Sequence, residues 1–234
     1  MSTNTLLKGV IVLCVIWINF AQSTFAQNDT TNNITFQLCM QGEALELEKG
    51  YAVSGKTDSV QITRFRFYLS NIRFVQNGLV IDSVPKQHIL IDAENGNTFS
   101  FLSPQQYDSI SFQIGIDSLT NVSGALGGDL DPTKGMYWSW QSGYINMKLE
   151  GRSALCPTRN KQFQFHIGGY SAPFNMLQYV MLPVTGDDPV TIKVEVEHFL
   201  QKLDLKKTHS IMSPNTEALQ LSQLLPTMFS VEKM

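Results

Sequence analysis

Cysteine is scarce: the 234 residues contain three, and none has a CxxC or CxxH partner, which speaks against a cysteine-built metal site. Charge is thin as well. Asp, Glu, Lys and Arg make up 16% of the chain, against roughly 25% in typical soluble domains. The net charge is −3 and no basic run exceeds Lys206-Lys207, so nucleic acid and anionic membranes are poor partners. There is no G-x-S-x-G elbow, no H-E-x-x-H, no P-loop and no C-x-x-C-H haem motif. No nucleophile–base pairing can be argued, and the chain is not expected to be an enzyme.

Long apolar runs are missing except at the N-terminus. Val10 to Phe20 is nearly continuous, follows Lys8, and leads to Thr24-Phe25-Ala26 before Gln27. That run is shorter than the ~20 residues of a spanning helix. Residues 1–26 therefore read as a signal peptide and residues 27–234 as one exported domain without a membrane span, periplasmic or secreted. Leu13 before Cys14 argues against lipidation. Cleavage leaves Cys39 and Cys156, which either pair as a disulfide in an oxidising compartment or serve as two small buried hydrophobes.

What is present is alternation. Ile34, Phe36, Leu38 and Met40 alternate with polar residues, as do Ile110, Phe112, Ile114 and Ile116, then Phe163, Phe165 and Ile167, and finally Val190, Ile192, Val194 and Val196. Val60 to Phe74 is the longest such segment, and Asn77-Gly78 marks the hairpin that ends it. Strands are also expected at Leu79 to Val84 and His88 to Asp92. Short period-two strands between turns predict an all-β, antiparallel β-sandwich. Only the tail looks helical, with Ser213 as N-cap, Pro214 at the first helical position, and Ala218, Leu221 and Leu225 on one face.

Four histidines are candidates for chemistry. His166 has parity opposite to Phe163, Phe165 and Ile167, so it points away from the core those residues fill, beside Gly168-Gly169, where an imidazole either suits a metal or is a surface or half-buried histidine bonded to backbone. His88 opens a strand. His198 shares parity with Val194 and Val196 and reads as a core or strand-end histidine, and His209 sits in a tail. Asp117, Asp129 and Asp131 lie in or beside a long Gly/Asp/Asn-rich segment, Ser118 to Lys134, and could gather oxygen ligands for calcium, although such residues are also common loop formers. That segment feeds into Gly135-Met136-Tyr137-Trp138-Ser139-Trp140-Gln141-Ser142-Gly143-Tyr144. On one continuous strand Trp138 and Trp140 would leave the same face.

The set Phe67-Tyr68-Leu69-Ser70-Asn71, Phe112-Gln113-Ile114-Gly115-Ile116-Asp117, Gly135 to Tyr144, Leu149-Glu150-Gly151 and Phe165-His166-Ile167-Gly168 resembles the MbnP-like family, over roughly residues 34–231. The resemblance implies an exported β-sandwich that binds copper, with histidine imidazoles beside a tryptophan oxidised to kynurenine by a separate di-haem peroxidase-like partner. Carried over, it makes His166 a copper ligand and Trp138 or Trp140 the modified residue. It also implies a second histidine near that tryptophan. None stands beside Trp138 or Trp140, and His88 or His198 would have to substitute. The alternative is a metal-free extracytoplasmic module whose aromatics bind a protein or glycan, or a purely structural role for those rings.

Overall fold

The computed structural model describes residues 32–53, 59–141, 143–184 and 189–232. The expected signal peptide lies outside them. In chain order the strands used below are β1 (Asn33–Met40), β2 (Ser59–Gln76), β3 (Leu79–Ser83), β4 (His88–Asp92), β5 (Thr98–Leu102), β6 (Ser109–Ile114) and β7 (Tyr137–Trp138). They continue with β8 (Gly143–Tyr144), β9 (Met147–Ser153), β10 (Gln162–Ile167), β11 (Gln178–Pro183), β12 (Val190–Glu195), β13 (Ser210–Ile211) and β14 (Phe229–Val231). Among the described residues three short α-helices interrupt them: α1 (Ser118–Val122), α2 (Val196–Gln201) and α3 (Thr216–Ser222).

Two sheets stack. The smaller runs β14-β12-β1, with β5 also on β1; the larger runs β11-β6-β2-β9-β10-β13, with β3 and β4 also on β2. Alternating side chains from both meet between them. Phe36 of the small sheet packs edge-on against Phe112 of the large one at 5.3 Å, and Phe67 of the large sheet meets Phe229 of the small one at 5.8 Å. Ile34, Phe36, Leu38, Phe65, Phe67, Ile192 and Val194 are fully buried there. The period-two pattern is therefore the main core written in sequence.

The β-sandwich expectation holds, but the sheets are mixed rather than purely antiparallel. β1 runs parallel to β12, and β10 parallel to β13. Alternation reports which face a residue takes and carries no information about strand direction, so this feature was invisible in it. The C-terminal helix is present with Ala218 and Leu221 buried, and Leu225 is buried in the 3-10 turn that follows, but the helix N-cap is Asn215, whose side chain accepts from the Ala218 N–H at 2.8 Å. The strand expected through Val196 ends at Glu195, which caps α2. His198 consequently lies exposed on that helix, with Nδ1 3.0 Å from the Thr227 carbonyl, rather than in the core.

Cys39 and Cys156 are free, buried thiols, so the disulfide alternative is set aside. Cys39 sits on β1 of the small sheet, paired with Glu195 of β12, whereas Cys156 lies in the turn beyond β9 of the large sheet. Burial pushes the Cys39 thiol up to about 11, with Glu195 adding to the effect. Both behave as small hydrophobes.

Candidate metal centre

The outer face of the large sheet carries a second, smaller core. Tyr68 points outward from β2, and over it close Ile116, Leu130, Met136, Trp138, Tyr144 and Ile145. The long polar segment is thus a folded cover. Asp117 caps α1 through the Thr120 N–H, and the Asn121 amide donates to the Ile116 and Asp117 carbonyls while its oxygen accepts from the Tyr144 N–H at 2.8 Å. Tyr68 donates to the Asp129 carbonyl, and Tyr144 bridges the Gly124 carbonyl and the Leu126 N–H. Buried backbone groups of a loop need partners, and these side chains supply them.

A row of charges anchors the cover's end. β4, β2, β9 and β10 place Asp92, Arg66, Lys148 and His166 side by side. Arg66 forms an ion pair with Asp92 at 2.8 Å and donates to the Lys134 carbonyl at 3.0 Å, while Lys148 donates to the Gly135 carbonyl. Two cations thereby grip consecutive carbonyls at the C-terminal end of the 3-10 turn Pro132–Lys134, where the dipole favours positive charge. Gly135 leaves that turn at φ 69°, the left-handed region glycine enters without strain. Burial depresses the Lys148 ammonium below its ordinary range, with Glu150 opposing.

The tryptophan stretch folds as a hairpin rather than one strand. β7 pairs with β8, Gly143 opposite Trp138, and Ser139 to Gln141 form its turn. The two indoles therefore part company: Trp138 is 6% exposed within the second core and Trp140 is 64% exposed on the turn, their rings still 5.7 Å apart. Trp138 lies over Gly168. A Cβ there would stand 3.1 Å from the indole Cζ3 and 2.6 Å from the Tyr144 carbonyl oxygen. Gly168 lies two residues beyond His166, just past the end of β10.

His166 is buried, although its parity turns it away from the main core. Its Nε2 lies 2.6 Å from Glu150 Oε1, and Glu150 Oε2 accepts from Arg64 at 3.1 Å. Glu150 sits opposite Gln164, so it reaches His166 diagonally. The His166 hydrogen bond, against the effect of burial, holds the Glu150 carboxyl below its usual range.

The other candidates are elsewhere. His88 contacts Ser70 through Nδ1 at 3.1 Å and Thr120 through Nε2 at 3.2 Å, with Asp117 at 4.0 Å. Burial lowers its imidazole below the ordinary value, opposed by Asp117. Three strand spacings of ~4.8 Å separate its strand from that of His166, about 14 Å before any offset along the strands, so the two cannot share one ion. Asp129 is held by Lys86 at 2.7 Å and Lys134 at 3.0 Å, and Asp131 caps the turn after it through Thr133. Asp117, Asp129 and Asp131 thus each serve locally and do not form a calcium cage. Among the described residues no three or more His, Cys, Asp or Glu side chains converge as a metal site.

The donor set nevertheless fits one part of a copper site. An imidazole suits copper, and a ring nitrogen tied to a carboxylate is the usual support of a ligating histidine. Glu150 and Lys148 were missed as site residues from sequence. Their alternation on β9 gives them the outward facing of His166, but the register that joins them is not written in either strand.

A β-sandwich whose outer face carries a tryptophan hairpin and a buried histidine defines the class of this protein. The MbnP family model matches residues 29–213, and the chain belongs to the MbnP family. Among solved structures it is similar to MbnP from Methylosinus trichosporium, with a TM-score of 0.53 and 17% identity over 75% of this chain and 78% of that one. At that identity the likeness concerns the fold. No curated protein matches the chain. Among the described residues no helix is long and apolar enough to cross a membrane.

Proposed function

We propose that this protein is an extracytoplasmic, methanobactin-associated type of copper-binding protein that acts by binding rather than catalysis. His166 supplies an imidazole ligand, and Trp138, rather than Trp140, is the tryptophan oxidised to kynurenine by a di-haem peroxidase-like partner. The observation that carries this reading is the seat of the Trp138 indole on Gly168, two residues from His166. Copper, when bound, supplies the redox-active centre. The chain orients the imidazole through Glu150, excludes water with Tyr144, Ile145 and Met136, and fixes the hairpin through Arg66 and Lys148. Conversion of the indole to an aromatic amine and carbonyl would add donors that indole lacks, offsetting the missing second histidine.

The test is mass spectrometry of the tryptic fragment 135–148 after export with and without the di-haem partner. One oxygen gained and one carbon lost at Trp138, only with the partner, is the expected result. The same change at Trp140 alone, or at neither residue, contradicts it. One observation favours the metal-free interaction module: Trp140 is exposed at 64%, as are Leu119 at 78% and Val122 at 66% in the same cover. If Trp140→Ala abolished partner capture while copper uptake by the chain was absent, that reading would replace the first.

A further inference from the structure

We infer that Glu150 is a positioning residue that fixes the tautomer of His166, placing the hydrogen on Nε2 and leaving the Nδ1 lone pair as the metal-directed atom. The consequence for copper rests on the function proposed above; the tautomer itself does not. An ionised carboxylate can only accept, so at 2.6 Å the hydrogen of the contact must come from the ring. A neutral imidazole carries one ring hydrogen, and if Nε2 holds it, Nδ1 is an acceptor. Glu150 cannot readily turn away. Its other oxygen is tied to Arg64, which also bonds Glu94 at 3.2 Å, and Glu94 in turn bonds Arg66 at 2.9 Å. Both partners are largely shielded, with side chains 8% and 16% exposed, so water competes poorly for the bond.

No protein group is seen at the opposite nitrogen among the described hydrogen bonds, whereas Nε2 is fully engaged. A metal approaching Nε2 would have to displace an ionic hydrogen bond. Approach at Nδ1 keeps that bond and gains ligand basicity from it.

The experiment is long-range nitrogen–proton NMR on the metal-free protein, with the ring nitrogens of His166 assigned by through-bond correlation from its own backbone. The expected spectrum has a protonated Nε2 and an unprotonated Nδ1. Glu150→Ala should lose that bias and weaken copper uptake by about 10–100-fold, whereas Glu150→Gln, which keeps an accepting oxygen and the side-chain volume, should retain much of both. A wild-type Nδ1–H tautomer, or one unchanged in Glu150→Ala, overturns the inference. The expected tautomer with no copper taken up by any variant supports the inference and counts against the copper reading, so the two fail separately. The wild-type spectrum needs no variant to fold.

Discussion

The two hydrophobic cores on either side of the large sheet are built in different ways. The inner one lies between two sheets and is assembled from alternating strand residues such as Phe36, Phe67 and Phe112. The outer one is assembled from a loop, a hairpin and a single outward tyrosine, and is held by side-chain bonds to loop backbone. The first makes the fold; the second seats Trp138 on Gly168, two residues from His166. A site on the outer face thus depends on polar anchors that the inner core does not need.

The contrast is sharpest in what substitutions should do. Phe112→Ala, between Phe36 and Phe229, removes a buried ring at the heart of the inner core and should cost about 3–5 kcal/mol in urea unfolding, with the whole domain affected. Trp138→Ala should cost about 3 kcal/mol at most, with the loss confined to faster amide exchange across the cover from α1 to β8. Global loss of exchange protection in that variant would erase the distinction between the cores. Gly168→Ala drives a Cβ toward the Tyr144 carbonyl and the Trp138 ring and should cost about 1–3 kcal/mol, with a changed tryptophan emission. Trp140→Ala, by contrast, should change stability by no more than about 0.5 kcal/mol.

The smallest expected effect is a pH dependence. His88 has its folded value lowered by burial, so the unfolded chain takes up the proton first. Stability should fall as pH drops below the ordinary histidine value of 6.5 toward the lower folded value, and level off beneath it. His88→Gln should flatten that slope in thermal melts between neutral and mildly acidic pH. A slope unchanged by the substitution would place its origin elsewhere. Glu150 acts with the usual carboxylate sign: its stabilisation is present above its ordinary value and is lost as pH falls through its depressed folded one.

The inner core was legible because burial between two sheets enforces period two, so Ile34 to Met40 and Phe163 to Ile167 announced their facing directly. Strand direction was not legible, and neither was α2, whose Val196 continues the alternation of Val190 to Val194 before the chain turns helical. Of the candidate site, the family motif singled out His166 and the pair Trp138 and Trp140, without choosing between the two indoles. The separation of Trp138 from Trp140 was hidden, since only the hairpin turn breaks the shared facing that a continuous strand would impose. The Glu150–His166 contact was hidden too, because it is a diagonal pair set by register. The polar richness of Ser118 to Lys134 suggested calcium, but those groups serve the loop's own backbone and its neighbouring lysines.

The most direct test of the account is copper retention after exhaustive dialysis of the exported protein, compared for wild type, His166→Ala and His88→Ala. The account predicts stoichiometric copper in wild type and in His88→Ala, and its loss in His166→Ala. Copper retained equally by His166→Ala, or lost from wild type, would contradict it.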